Sequence, residues 1–137
     1  KLCIAFAQTS PTKKVQDYML RLRDVSKKHV QLFSKVLLNE NIEAPHIPDV
    51  AVSDSTTKTF SDKLMMVHMS MLMSAGTGNY ATAGALSQRI DLSVNYERLS
   101  KEVARLAKSG ADLMIEHNWL EQPPGIKNRD HLARKKG

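Results

Sequence analysis

Apolar residues recur at steps of three and four along residues 12–39, and this periodicity constrains the fold more than any other feature. An α-helix repeats every 3.6 residues, so side chains at this spacing line one face, while lysine, arginine and glutamine fill the other. Ser10 is a suitable N-cap and Pro11 suits the first helical position, so the helix is predicted to begin there. The predicted inward positions are Val15, Tyr18, Met19, Leu22, Val25, His29, Leu32, Phe33, Val36 and Leu37.

Two further long helices are predicted over residues 59–88 and 91–118. A capping box at residues 59–62, starting from Thr59, opens the first of them, and Asp91 is the predicted cap of the second, which is expected to continue through Gly110. The predicted inward positions are Leu64, Val67, His68, Met71, Ala75, Asn79, Thr82 and Leu86 on the first helix, and Leu92, Tyr96, Leu99, Val103, Leu106, Gly110, Leu113 and His117 on the second.

The predicted fold class is all-α, an up-down four-helix bundle over residues 1–125 followed by a basic, flexible tail at 126–137. Residues 1–8 form the fourth helix, and because they begin within an apolar pattern we expect them to be the end of a helix that starts upstream. Residues 41–58 are rich in Pro, Asp and Ser, and at about 18 residues they are too long for a helical hairpin. They predict a long crossover loop between two parallel helices.

Composition excludes several classes of protein. The single cysteine, Cys3, rules out an internal disulfide, and no Cys/His grouping has the spacing of a structural zinc site. No apolar run reaches the roughly 20 residues of a membrane span, so no membrane partner is expected. The tail carries most of the net charge of +6. Because the tail lacks aromatic side chains for base stacking, nucleic acid is not an expected partner either.

His29 and His68 are the candidate metal ligands, because each lies on the predicted inward stripe of its helix. Two histidines that face one core could bind an iron, manganese or zinc ion. Helical di-metal sites use Glu-x-x-His, a pattern that this sequence lacks, so Asp24, Glu102 or an upstream helix would have to supply carboxylates. The alternative is that both are core histidines whose ring nitrogens are satisfied by hydrogen bonds.

Residues 74–85 are almost all small and lack the ending of a phosphate-binding loop. They predict either close helix packing or a small-ligand pocket beside Asn79 and Tyr80. Five of the seven methionines lie at residues 65–73, and we expect them to fill the core. No arrangement of nucleophile and base indicates an enzyme.

Four motifs carry a family resemblance: FSDKLMMVH at 60–68, GTGNY at 76–80, DLSVNYERL at 91–99 and NWLEQPP at 118–124. Together they resemble the ferritin-like domain family of unknown function that occurs in endospore-forming bacteria and is often labelled spore coat protein. The resemblance implies an up-down bundle with a long crossover and a first helix that begins upstream of Lys1. It implies no established reaction, because a ferritin-like fold by itself is not iron chemistry.

The leading hypothesis is a structural or interaction protein without catalytic activity, located in the cytoplasm or in the spore coat. Its expected partners are further copies of itself or spore coat proteins. The alternative is a ferritin-like protein that binds metal through His29 and His68, with or without redox activity.

Overall fold

The computed structural model describes residues 1–45, 52–120 and 125. This part of the chain contains four α-helices and no strand: α1 (Leu2–Thr9), α2 (Lys13–Asn39), α3 (Asp62–Leu86) and α4 (Ile90–Glu116). The predicted all-α class is therefore confirmed. None of these helices combines the length and the apolarity that crossing a bilayer requires.

The order of contacts along the helices gives their relative directions. Contacts between α3 and α4 run in opposite order, with Ser70 near Met114 and Gly84 accepting a hydrogen bond from Ser93, so these helices form an antiparallel hairpin. Contacts between α2 and α3 run in the same order. Tyr18 meets Met73, and further along both helices His29 meets Tyr80. Residues 46–51 of the connection lie outside the described part, so the crossover stays a prediction, as does the flexibility of the tail.

Each long helix begins within three residues of the predicted position, but with a different cap. The N-cap of α2 is Thr12 rather than Ser10, whose hydroxyl donates to the buried carboxylate of Asp62 and accepts the amide hydrogen of Thr12 at 3.2 Å. Ser61, not Thr59, caps α3 and accepts the amide hydrogen of Leu64 at 3.2 Å. Arg89 holds the N-cap position of α4. Asp91, the predicted cap, lies in the first turn and pairs with Arg89 at 2.8 Å.

Asparagine ends both α2 and α4 in the left-handed conformation. Asn41 has φ 57° and Asn118 has φ 56°. After Asn118 the Trp119 amide returns to the Met114 carbonyl at 2.8 Å, which closes a Schellman motif. Trp119 then packs against the core and stacks on His117, whereas Leu120 stays 42% exposed.

The prediction of which face of α3 points towards the core is wrong. Leu64, His68, Met71, Asn79 and Leu86 are exposed. The buried residues of α3 are Asp62, Met65, Met66, Met69 and Met73, so four of the clustered methionines fill the core as expected. The core is completed by Cys3, Phe6 and Ala7 of α1, by Val15, Tyr18, Met19 and Leu22 of α2, and by Leu106, Leu113 and Met114 of α4.

Two glycines allow α4 to approach its neighbours. α4 continues through Gly110 as predicted, and a Cβ there would lie 2.3 Å from the hydroxyl oxygen of Tyr18. A Cβ at Gly84 would lie 3.2 Å from the Cβ of Tyr96. Of the two predictions for residues 74–85, close packing is therefore confirmed at Gly84. A Cβ at Gly76 or at Gly78 would have no atom within 4 Å.

Candidate functional site

An open apolar groove runs along one side of the bundle between α2 and α3. Its volume is about 780 Å³. The wall residues Val30 and Leu72 are 40% and 46% exposed, so large apolar side chains face solvent there. The apolar side chains that line the groove are Leu2, Leu22, Val25, Val30, Met69, Leu72, Met73, Val103 and Leu106.

The groove lies in line with α1. Lys1, Leu2 and Cys3, at the first turn of α1, form one end of it. Val15 to Leu22 of α2 supply four buried side chains beside α1, but beyond Leu22 the only buried residue of α2 is His29. The later apolar positions of the predicted stripe, such as Val25 and Phe33, are half-buried. Within the described residues, the groove therefore lies beside the part of α2 that α1 does not cover.

The rim of the groove is basic. Its charged lining residues are Lys1, Arg23 and Lys27, and no carboxylate is among the described residues that line it. Arg23 pairs at 2.7 Å with Asp24, whose side chain is 62% exposed and lies outside the groove. An anionic group would therefore be attracted to this edge.

His29 joins three helices at the wall of the groove. It is 5% exposed, its Nε2 lies 3.0 Å from Glu102 of α4, and its Nδ1 lies 3.1 Å from the Tyr80 hydroxyl of α3. An ionised carboxylate only accepts, so Nε2 donates to Glu102, and in a neutral ring Nδ1 accepts from Tyr80. Lys28 donates to the same carboxylate at 2.8 Å. Hydrogen bonds from Lys28 and His29 hold the pKa of Glu102 below its usual value.

Aromatic rings surround this polar contact. The Tyr80 ring lies 5.6 Å from His29 and 5.9 Å from Tyr96, and Phe33 stacks on Tyr96 at 4.9 Å. Burial raises the pKa of Tyr80, so its hydroxyl keeps its proton at neutral pH. The cluster closes the groove at the end away from α1.

The structure separates the two predicted metal ligands. His29 points inward as predicted, whereas His68 is exposed and packs edge-on against Phe6 at 6.1 Å. His68 precedes Tyr80, the α3 partner of His29, by twelve positions, or about 18 Å along the helix. The described residues include no group of three or more His, Cys, Asp or Glu that could hold a metal ion.

The predicted ligand-pocket residues also separate. Tyr80 lines the groove, while Asn79 is exposed and does not. A second, shallow pocket of about 370 Å³ lies between residues 74–85 and α4. It is lined in part by Gly84, Ser93 and Glu97.

Sequence reasoning missed the groove and the buried carboxylate of Asp62. Asp62 accepts hydrogen bonds from the hydroxyls of Ser10 and Thr12, and Ser10 is 2.9 Å away. The spacing of Ser10, Thr12 and Asp62 in the sequence carries no signal for this contact, since some 50 residues separate them. Glu102, by contrast, is one of the carboxylates that sequence reasoning named.

A second exposed apolar surface lies at the opposite end of the bundle from the α1–α2 turn. Arg89 pairs with Glu40 at 2.7 Å and so joins the end of α2 to the turn between α3 and α4. The exposed apolar residues on these segments are Leu38, Ile42, Leu86, Ile90 and Val94.

The fold and the groove define a helical bundle with an exposed side surface, and comparison of the sequence gives its family. The chain belongs to the family described as protein of unknown function (DUF3231), which it matches over residues 1–132. No curated protein and no solved structure is detectably similar to it.

Proposed function

We propose that this protein is a non-catalytic structural or interaction protein with a ferritin-like bundle, and that it assembles with further copies of itself or with spore coat proteins. The observation that carries the proposal is the set of large apolar side chains that α3 exposes to solvent, Leu64, Met71 and Leu72. A solvated patch of large apolar side chains on a folded domain is typical of a protein interaction surface. The coat setting is supported by the motif resemblance, above all by residues 118–124.

Two of these side chains do not line the groove. Met71 is 68% exposed and Leu64 is 54% exposed. Neither side chain contributes to the buried core, so their exposure costs hydrophobic stabilisation that a partner would recover. Their substitution should therefore disturb assembly more than folding.

Assembly can be measured in two ways on one set of variants. The mass of the purified chain is determined by light scattering over a range of concentrations, and the tagged chain is traced in coat extracts of purified spores. The double variant Met71→Asp and Leu72→Asp should lose assembly or coat association. Ala104→Asp, at an exposed position on α4, is the control and should keep both. A wild-type chain that stays monomeric and never enters the coat fraction would contradict the proposal.

A second candidate function is metal binding, favoured by the contact between His29 and Glu102. These two side chains offer one nitrogen and one carboxylate, fewer protein ligands than the three or four of most zinc sites. Additional ligands would have to come from a partner or from solvent. Iron, manganese and zinc are the candidate ions.

Elemental analysis of protein purified without a chelator or a metal-affinity tag tests this candidate. Near-stoichiometric metal in the wild type should be lost in His29→Ala and retained in His68→Ala, because His68 lies about 18 Å along α3 from Tyr80, the residue that contacts His29. Metal-free wild-type protein that remains folded would remove the metal candidate and leave the interaction function in place.

A further inference from the structure

On the side away from the core, α3 exposes a row of six residues that repeats at alternating steps of four and three, the spacing of a coiled coil. This outer face of α3 consists of Leu64, His68, Met71, Ala75, Gly78 and Thr82, all of them exposed. None of the six lines the groove. The centre of the outer face lies roughly 100° around the helix from Leu72 and Gly76, which do line it. The outer face is therefore a surface separate from the groove, whatever occupies the groove.

The outer face carries no formally charged residue. Residues 64–86 include no lysine, arginine, aspartate or glutamate, although the exposed sides of α2 and α4 are rich in charged residues. A helix face that stays in solvent is normally charged or polar. Because neither sign of charge is present, nothing here selects a charged partner, and two copies of the face can meet without like-charge repulsion.

The size of the side chains changes along the outer face. Three large side chains, from Leu64 to Met71, are followed by three small ones, from Ala75 to Thr82. When two such faces meet antiparallel, about a two-fold axis near position 73, every large side chain lies opposite a small one of the other copy. The opposed pairs are Leu64 with Thr82, His68 with Gly78, and Met71 with Ala75. This alternation fills the space between two helices evenly, whereas a parallel pair would set large against large and leave Gly78 facing Gly78.

From these features we infer that the outer face of α3 binds the same face of a second copy of this chain, antiparallel and with two-fold symmetry. The inference rests on the proposed interaction function, and it names both the partner and the surface. Two-fold symmetry makes every contact occur twice. One pair of helices is a small interface, so we expect a reversible dimer with a dissociation constant that is roughly micromolar.

Cysteine crosslinking of the full 137-residue chain tests the orientation. Chains with Leu64→Cys and chains with Thr82→Cys, carrying different tags, are mixed and oxidised with diamide. They should form a disulfide-linked mixed dimer, because opposed positions come within the roughly 7 Å between Cα atoms that a disulfide can span. Leu64→Cys alone should not crosslink, because its copy lies about 27 Å away along the helix axis. The wild type is the control for Cys3, which is buried and present throughout.

A charge placed on the outer face tests the affinity. Ala75→Glu would set an unpaired carboxylate opposite Met71 of the second copy, twice in each dimer. The dissociation constant measured by sedimentation equilibrium should rise by at least about tenfold. Position 75 is exposed and glutamate favours a helix, so the variant should fold normally, which circular dichroism checks. Ala104→Glu, the same change at an exposed alanine of α4, should dimerise as the wild type does.

The inference is overturned if the wild type stays monomeric at every concentration, if Leu64→Cys crosslinks to itself more readily than to Thr82→Cys, or if Ala75→Glu dimerises as the wild type does. Failure here is distinct from failure of the proposed function. A monomer that still enters the coat fraction would refute the second copy alone, and a monomer absent from the coat would refute the function as well. A dimer that Ala75→Glu leaves intact would place self-association on another surface.

Discussion

Tyr18 reaches across the bundle from α2 and ends on the backbone of α4. Its hydroxyl donates to the Leu106 carbonyl at 2.9 Å, and its ring passes over Gly110. Burial raises the pKa of Tyr18 to about 12, so the phenol remains a donor across the physiological range. The contact depends on the missing side chain at Gly110, because a Cβ there would lie 2.8 Å from the ring carbon Cζ as well.

Gly110→Ala should therefore destabilise the protein even though alanine favours a helix. The expected loss is about 1 kcal/mol in the free energy of unfolding, because overpacking of about 1–3 kcal/mol outweighs a propensity gain of at most about 1 kcal/mol. Urea denaturation measures it. Gly78→Ala, in open space, should instead gain about 0.5–1 kcal/mol. Equal stabilisation by both substitutions would show that the Tyr18 side chain moves aside without a loss of folding free energy.

Glu102 makes the groove wall sensitive to acid. Its folded-state pKa lies below the ordinary value of 4.5, so its charge stabilises the fold above that pH. The stabilisation is lost as the pH falls through the lowered folded-state pKa, because protonation removes the charge that faces Lys28 and His29.

Comparison of the wild type with Glu102→Gln should show this pH dependence. The wild type should be the more stable near neutral pH, and the difference should shrink as the pH falls from about 5 towards about 3. Glu97→Gln is the control, because Glu97 pairs with Lys101 in full solvent and contributes less. A difference between wild type and Glu102→Gln that does not change with pH would contradict this role.

At the scale of elements, Asp62 ties the start of α3 to the turn between α1 and α2. It is 6% exposed, it begins α3, where negative charge is favourable, and it accepts from Ser10 and Thr12. Asp62→Ala would leave the buried Ser10 hydroxyl without its acceptor and remove two hydrogen bonds to a carboxylate.

The expected cost of Asp62→Ala is about 2–3 kcal/mol in the free energy of unfolding, measured by thermal or urea denaturation. Asp112→Ala removes an exposed pair with Lys108 and should cost about 0.5 kcal/mol or less. Similar losses in the two variants would mean that the Asp62 contacts add no stability beyond a surface ion pair.

The elements themselves could be predicted better than their orientation. The apolar stripes of α2 and α4 fix both the extent of each helix and the side that faces the core, and His29 lies inside as its stripe predicts. On α3 the apolar residues between Leu64 and Met73 fall on all sides of the helix, so periodicity cannot select a face. Tertiary contacts select it instead, with Asp62 bonded to Ser10 and Met65 packed beside Thr9. For this reason the predictions that His68 and Asn79 face inward are wrong as well.

On the scale of the whole molecule, packing is uneven. α3 and α4 form a closely packed hairpin joined by three residues, and α1 covers the first half of α2. The second half of α2 is attached mainly through His29, the aromatic cluster and the Glu40–Arg89 pair at its end. The candidate site therefore lies where the bundle is least filled, which is why sequence patterns of single helices did not reveal it.

Because of this uneven packing, the two halves of α2 differ in their stability against local unfolding. Amide hydrogens between Val15 and Leu22 are expected to exchange only through large-scale opening, while those beyond Val25 should exchange through local fraying and therefore faster. Hydrogen-exchange mass spectrometry of overlapping peptides would resolve the boundary, and uniform protection along α2 would contradict it. A molecule seated in the groove would abolish that boundary, so slowed exchange in the second half of α2 is a direct report of occupancy that needs no label on the partner.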